Sequence, residues 1–167
     1  MSLSRLIKAT ILLLLLCSLP LQARAQPEIV IGDSIACGVK DAGHLQGGCH
    51  VGASPLAVLH MVLSYPVDLL SGQVVVLSSG VSNDPEQISF AGQAVAYLHD
   101  HGAHVVLLGV GNRLSDSVRL NDTLKFFSET ADGVFVWGWQ NVHPQNYNEV
   151  LSVIRREECL AWRICLT

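Results

Sequence analysis

Gly32-Asp33-Ser34 ends the apolar run Ile29-Val30-Ile31 and is followed by Ile35-Ala36-Cys37-Gly38. A β-rich run that stops at Gly-Asp-Ser reads as a buried strand closing in a tight turn that opens a helix. A serine at such a turn stands on the C-terminal edge of the sheet, where open α/β sheets bind ligands. The first N–H groups of the helix there face any developing negative charge. Serine is a weak nucleophile until an imidazole takes its proton, and the oxyanion it creates needs preorganised donors. Acyl transfer is therefore the chemistry to look for, against the plainer role of Ser34 as a helix cap.

The remaining chemistry-bearing residues depend on the elements that deliver them. Asp41 to Cys49 reads as a glycine-rich loop with His44, and Ser54-Pro55 reads as a helix start, with Leu56, Leu59, Val62 and Leu63 at helical spacing. Gly52 falls just ahead of that helix, as a turn residue of positive φ or as a bare N–H presented to a ligand. Val74-Val75-Val76-Leu77 is a strand covered on both faces. It leads through Gly80-Val81-Ser82-Asn83 to Asp84-Pro85, where Asp84, Pro85 and Gln87 read as N-cap, first helical residue and capping-box partner. That helix runs from Pro85 to His101, with Gly102 as its C-terminal cap. Val105 to Val110 is the next strand and releases Gly111-Asn112-Arg113; Arg113 is either a hold on a polar or anionic substrate group or a solvated surface residue. A helix carrying Leu120, Leu124 and Phe127 follows, and Asn121-Asp122-Thr123 matches a glycosylation sequon. Val134-Phe135-Val136-Trp137 is the last strand, and His143-Pro144 lies beyond it, ahead of a final helix with Tyr147, Val150, Leu151 and Ile154. Strands alternating with helices, without repeat or linker, imply a three-layer α/β/α sandwich around a five-stranded parallel sheet. Ser34, Gly52, Asn83 and His143 then converge on one edge.

The chain has 167 residues, a net charge of −4 and 50% apolar residues, which fits one domain with one core. Without a basic stripe interleaved with aromatics, no nucleic-acid footprint is expected. Arg5 and Lys8 precede the apolar block Ile11 to Leu16, and Ala23-Arg24-Ala25 offers the small residues a signal peptidase needs, so residues 1–25 read as a signal peptide and 26–167 as the domain. The block is short of the ~20 residues that span a bilayer, and Leu16 before Cys17 is bulkier than a lipobox residue, so no membrane span is expected after cleavage. Export to the periplasm or beyond makes disulfides the natural reading of Cys37, Cys49, Cys159 and Cys165. Of three connectivities, Cys37–Cys49 and Cys159–Cys165 close the shortest loops. The first would brace the turn beside Ser34, worth about 2–3 kcal/mol by loop entropy. His99, His101 and His104 invite a metal reading, but histidines at a helix C-terminus complement its dipole and no acidic partner stands at ligand spacing.

Gly32-Asp33-Ser34, Gly52 before its helix, Gly80-Val81-Ser82-Asn83-Asp84 and His143-Pro144, in this order, resemble the SGNH (GDSL-like) hydrolase family over nearly all of the mature chain. The resemblance implies a flavodoxin-like sheet and Ser34 as nucleophile, with His143 as its base. It implies an oxyanion hole of Ser34 N–H, Gly52 N–H and the Asn83 amide, an acyl-enzyme, and no metal or organic cofactor. The substrate class it implies is a small-molecule or glycan ester with a small acyl group, with a short-chain lipase or thioesterase as the enzymatic competitor. The family carries an aspartate three residues before the histidine, where this chain has Gln140. Glutamine can orient His143 through its oxygen but brings no charge, and losing the acid costs a serine protease about 10⁴ in kcat. Asp132 precedes the last strand, and five strand residues separate its ends by roughly 17 Å. The readings left open are a Ser-His dyad or modified triad, with Gln140 or a backbone carbonyl on the imidazole, and a binding protein that has lost catalysis. The exported protein is expected to begin at Gln26, which its intact mass checks; the mass of the uncleaved chain would overturn this.

Overall fold

The computed structural model describes residues 28–165; the expected signal segment 1–25 and its cleavage product's first residue, Gln26, lie outside the described residues. The chain alternates β1 (Ile29–Gly32), α1 (Ser34–Gly43), β2 (Gln46–Cys49), α2 (Pro55–Leu63), β3 (Val74–Ser78), α3 (Ile88–Asp100), β4 (His104–Leu108), α4 (Ser117–Thr130), β5 (Val134–Val136) and α5 (Tyr147–Trp162). All strands are parallel, in the order β2-β1-β3-β4-β5. This is the flavodoxin-like order, whose ligand crevice opens where the order reverses beside β1.

Two apolar layers sandwich the sheet, because the residues of each strand alternate between its faces. Ile29, Ile31, Val75, Leu77, Val105 and Leu107 pack against α2, α3 and α4. Val30, Val74, Val76, Val106, Leu108 and Val136 pack against α1 and α5. β1, β3 and β4 are buried almost throughout, which explains why they read as unbroken apolar runs.

Several expectations need correction. The glycine-rich stretch is not all loop: α1 extends to Gly43, and Gln46-Gly47-Gly48-Cys49 forms the edge strand β2. Its residues alternate between exposed and half-buried, so it offers no apolar run to read. The capping box at Asp84 and Gln87 does not form. Among the described residues Asp84 makes no side-chain cap bond and the buried Gln87 Oε1 has no partner, and a 3₁₀ turn at Pro85–Gln87 precedes α3. Asn121, the first residue of the sequon-like triplet, is buried with its amide on both polar groups of one residue: Val110 N–H donates to Oδ1 at 2.8 Å and Nδ2 donates to Val110 O at 3.0 Å. That clamp fixes the exit of β4.

Both expected disulfides are present: Cys37–Cys49 ties the first turns of α1 to the end of β2, and Cys159–Cys165 closes the tail of α5. His99, His101 and His104 diverge. His99 lies beside Asp100, His101 Nδ1 meets Tyr97 O at 2.7 Å, and His104 stacks on Trp162.

At the opposite edge from Ser34, α5 buries Glu158 completely, and neither carboxyl oxygen has a hydrogen-bond partner among the described residues. Glu28 is buried nearby and accepts from Arg155 Nε at 3.1 Å. Burial, and then the Glu28 charge, push the Glu158 carboxyl up to about 8, with Arg155 opposing. The folded protein therefore holds a proton between about pH 4.5 and 8 that the unfolded chain has released. This group's contribution to stability is complete below the unfolded value and is lost as pH rises through the folded one. Glu158→Gln is expected to raise the melting temperature at pH 8 by several degrees, about 2–4 °C per kcal/mol for a domain of this size. The gain should shrink toward pH 5 in thermal melts; a constant offset between the two curves would refute the assignment.

Candidate active site

Asp33 is the buried hinge of the site, with 1% of its surface exposed. Its Oδ1 accepts the Ile35 N–H at 2.9 Å, capping α1, and the Ser78 hydroxyl at 2.6 Å, while Ser82 Oγ reaches Oδ2 at 3.5 Å. One carboxylate thus joins the start of α1 to the end of β3 and the loop beyond. Gly32 makes this approach possible: its φ is +147°, and a Cβ there would overlap the Ser78 carbonyl. Ser34, half-buried, takes the first helical position with its N–H unengaged by any described residue.

Strand register sets the rest of the edge. Cys49, Gly32, Ser78, Leu108 and Val136 form one row across the sheet, and every expected site residue follows shortly after a member of that row. Gly52 adopts φ +78° in an exposed turn, open around its Cα, and its N–H has no partner among the described residues. Asn83 Nδ2 donates to Ala53 O at 2.9 Å. An amide nitrogen carries two hydrogens, so Asn83 is held against the Gly52 turn and keeps a second N–H to offer. Gly80 allows the two loops to meet, since a Cβ there would overlap the Ala53 carbonyl.

On the other side, the loop after β5 is strapped to the loop after β4. Asn112 N–H donates to Trp139 O at 3.0 Å and Arg113 N–H to Gln140 O at 2.9 Å, continuing the β4–β5 ladder past its last strand pair. The two loops frame a cavity of about 550 Å³ whose walls include Arg113, Trp137, Trp139, Gln140, Asn141 and His143.

His143 is exposed, and its Nδ1 lies 3.2 Å from the Tyr147 hydroxyl. Among the described residues no hydrogen bond joins His143 to Ser34, and the Gln140 side chain makes none to His143. The tyrosine ring sits where a Cβ on Gly38 would be, one helical turn beyond Ser34 on the same side of α1. Tyr147 was legible in the sequence only as an apolar-face residue of the last helix. Its place four residues after a candidate catalytic histidine was the signal available. Burial raises its phenol pKa, and the negative charge of Asp33 raises it further.

No protein-family model matches the sequence, and no curated protein matches it. Among solved structures, the chain is similar to the C-terminal catalytic domain of Streptococcus pneumoniae peptidoglycan O-acetyltransferase A (OatA), determined with a methylsulfonyl adduct. The TM-score is 0.62 at 14% identity, over 83% of this chain and 95% of that one. The chain has an SGNH-type fold. The five-stranded parallel sheet and its helices match that SGNH domain, in agreement with the architecture expected from sequence.

Asp33→Ala removes a helix cap and strands the Ser78 hydroxyl. It is expected to destabilise the SGNH fold by about 2–4 kcal/mol in urea unfolding, combining a lost cap with a lost charge-assisted bond. A change below about 0.5 kcal/mol would mean that the carboxylate does not hold this edge together.

Proposed function

We propose that the protein is an exported serine esterase that transfers a small acyl group, of acetyl size, from an ester to water through an acyl-enzyme on Ser34. The observation that carries this reading is the set of N–H groups at one sheet edge. Ser34 N–H, Gly52 N–H and the second N–H of Asn83 have no protein partner among the described residues. Unengaged donors beside a serine are what a developing oxyanion requires. The SGNH fold and its likeness to an acetyltransferase domain support acyl-group chemistry in general, and the two disulfides support an extracytoplasmic setting.

In the reaction, Ser34 Oγ attacks the acyl carbon as its proton passes to His143 Nε2, and the carbonyl oxygen becomes an oxyanion facing the three donors. Collapse expels the alcohol, which takes the proton from His143. Water, deprotonated by the same imidazole, then frees the acid and restores Ser34. The chemistry requires no metal or organic cofactor. The cavity on the His143 side suits the alcohol portion of the ester. Trp137, 51% exposed, and Trp139 offer flat apolar faces, and Arg113, Gln140 and Asn141 offer polar groups. A glycan hydroxyl fits that combination. Among the described residues no helix is long and apolar enough to cross a membrane.

The second reading, a binding protein that keeps the fold without turnover, draws on Gln140 and on the absence of a Ser34–His143 hydrogen bond among the described residues. Hydrolysis of p-nitrophenyl acetate by the disulfide-intact chain separates the two. Ser34→Ala is expected to lower kcat about 10³-fold or more, and Gln140→Asp to raise it by supplying the missing charge. Wild-type turnover no faster than that of Ser34→Ala would favour the binding reading.

A further inference from the structure

We propose that Tyr147 is the positioning residue of His143, its hydroxyl occupying the Nδ1 side of the imidazole where the carboxylate of an ordinary triad would stand. The proposal rests on the reading of Ser34 and His143 as an acyl-transfer pair. It names the group that replaces the missing acid.

Three observations meet at this hydroxyl. His143 Nδ1 lies 3.2 Å from it, whereas Gln140 holds the loop through its backbone carbonyl and makes no side-chain bond to the ring among the described residues. The tyrosine ring is itself held, because it fills the space over Gly38, so the hydroxyl is fixed to α1 one turn beyond the nucleophile. Its phenol is kept neutral by burial and by the Asp33 carboxylate, which disfavours phenolate. A hydroxyl can accept as well as donate, and in this proposal the Tyr147 oxygen takes the acceptor's part toward His143. An imidazole that donates Nδ1–H to that oxygen carries its lone pair on Nε2, the tautomer a base needs. A neutral oxygen stabilises the imidazolium less than a carboxylate does, so this arrangement sets the tautomer without the full charge stabilisation.

The test uses the disulfide-intact mature chain with four variants: Tyr147→Phe, Gln140→Asp, the two combined, and Ser34→Ala. Phenylalanine keeps the ring over Gly38, so the fold is retained and only the hydroxyl is lost. Tyr147→Phe is expected to lower kcat for p-nitrophenyl acetate about 10- to 100-fold with KM within about twofold, the range of a mispositioned base. In the Gln140→Asp background the same change should cost less than about threefold, because the new carboxylate takes over Nδ1. Imidazole ¹⁵N spectra should show His143 mainly as the Nδ1–H tautomer in wild type and shifted toward Nε2–H in Tyr147→Phe. Equal kcat losses in both backgrounds, or an unchanged His143 tautomer, would overturn the proposal. Wild-type turnover equal to that of Ser34→Ala would instead sink the esterase reading, and the ¹⁵N spectra would still decide whether Tyr147 orients His143.

Discussion

A single buried carboxylate holds the candidate active-site edge of this molecule together. Asp33 caps α1, accepts the Ser78 hydroxyl at the end of β3 and lies beside Ser82, so three separate segments take their places from one side chain. A buried charge is stable only when hydrogen bonds replace its water, and this one is provided for. Its charge also reaches the Tyr147 phenol on α5. Asp33 thus plays a structural part, bound among the described residues to its neighbours rather than to the imidazole.

Around that anchor the edge divides into two halves built differently. The half that carries the candidate oxyanion donors is backbone geometry: a turn at Gly52, a loop at Gly80 and an asparagine amide pinning one to the other. The imidazole half is a strap, in which main-chain bonds from Asn112 and Arg113 carry the loop of Gln140 and His143 along the side of the cavity. Rigid elements can hold donors still while a strapped loop carries the exposed histidine. The close Nδ1 contact with Tyr147 limits how freely that ring turns.

Much of this was legible in the residues. The apolar runs at Ile29, Val74, Val105 and Val134 gave four strands, and the turns after them placed Ser34, Asn83, Arg113 and His143 on one edge, because parallel strands all end on the same side. The local disulfides were readable from their spacing. What escaped was whatever depends on a neighbour distant in sequence. β2 pairs along only one of its sides and carries two glycines, so it has no hydrophobic signature. Asn121 fits a sequon by type, but only the approach of Val110 makes it a backbone clamp. Tyr147 keeps the helical period of an apolar face, and nothing local reveals that its ring meets Gly38 more than a hundred residues earlier. Glu158 sits in a charged run and is buried only because α5 docks over Glu28.

The meeting of Tyr147 with Gly38 has a consequence for how the protein comes into being. The serine belongs to the first helix and the histidine to the approach to the last, so the two halves of the edge are made at opposite ends of synthesis. The Cys37–Cys49 bridge closes within a short early segment and can form while the rest of the chain is still emerging. The Tyr147 contact on His143 Nδ1 exists only once α5 has packed against α1. A chain ending just short of Tyr147 would keep the main-chain strap on the His143 loop yet lack the hydroxyl at Nδ1, so that contact is the last of this edge to be made.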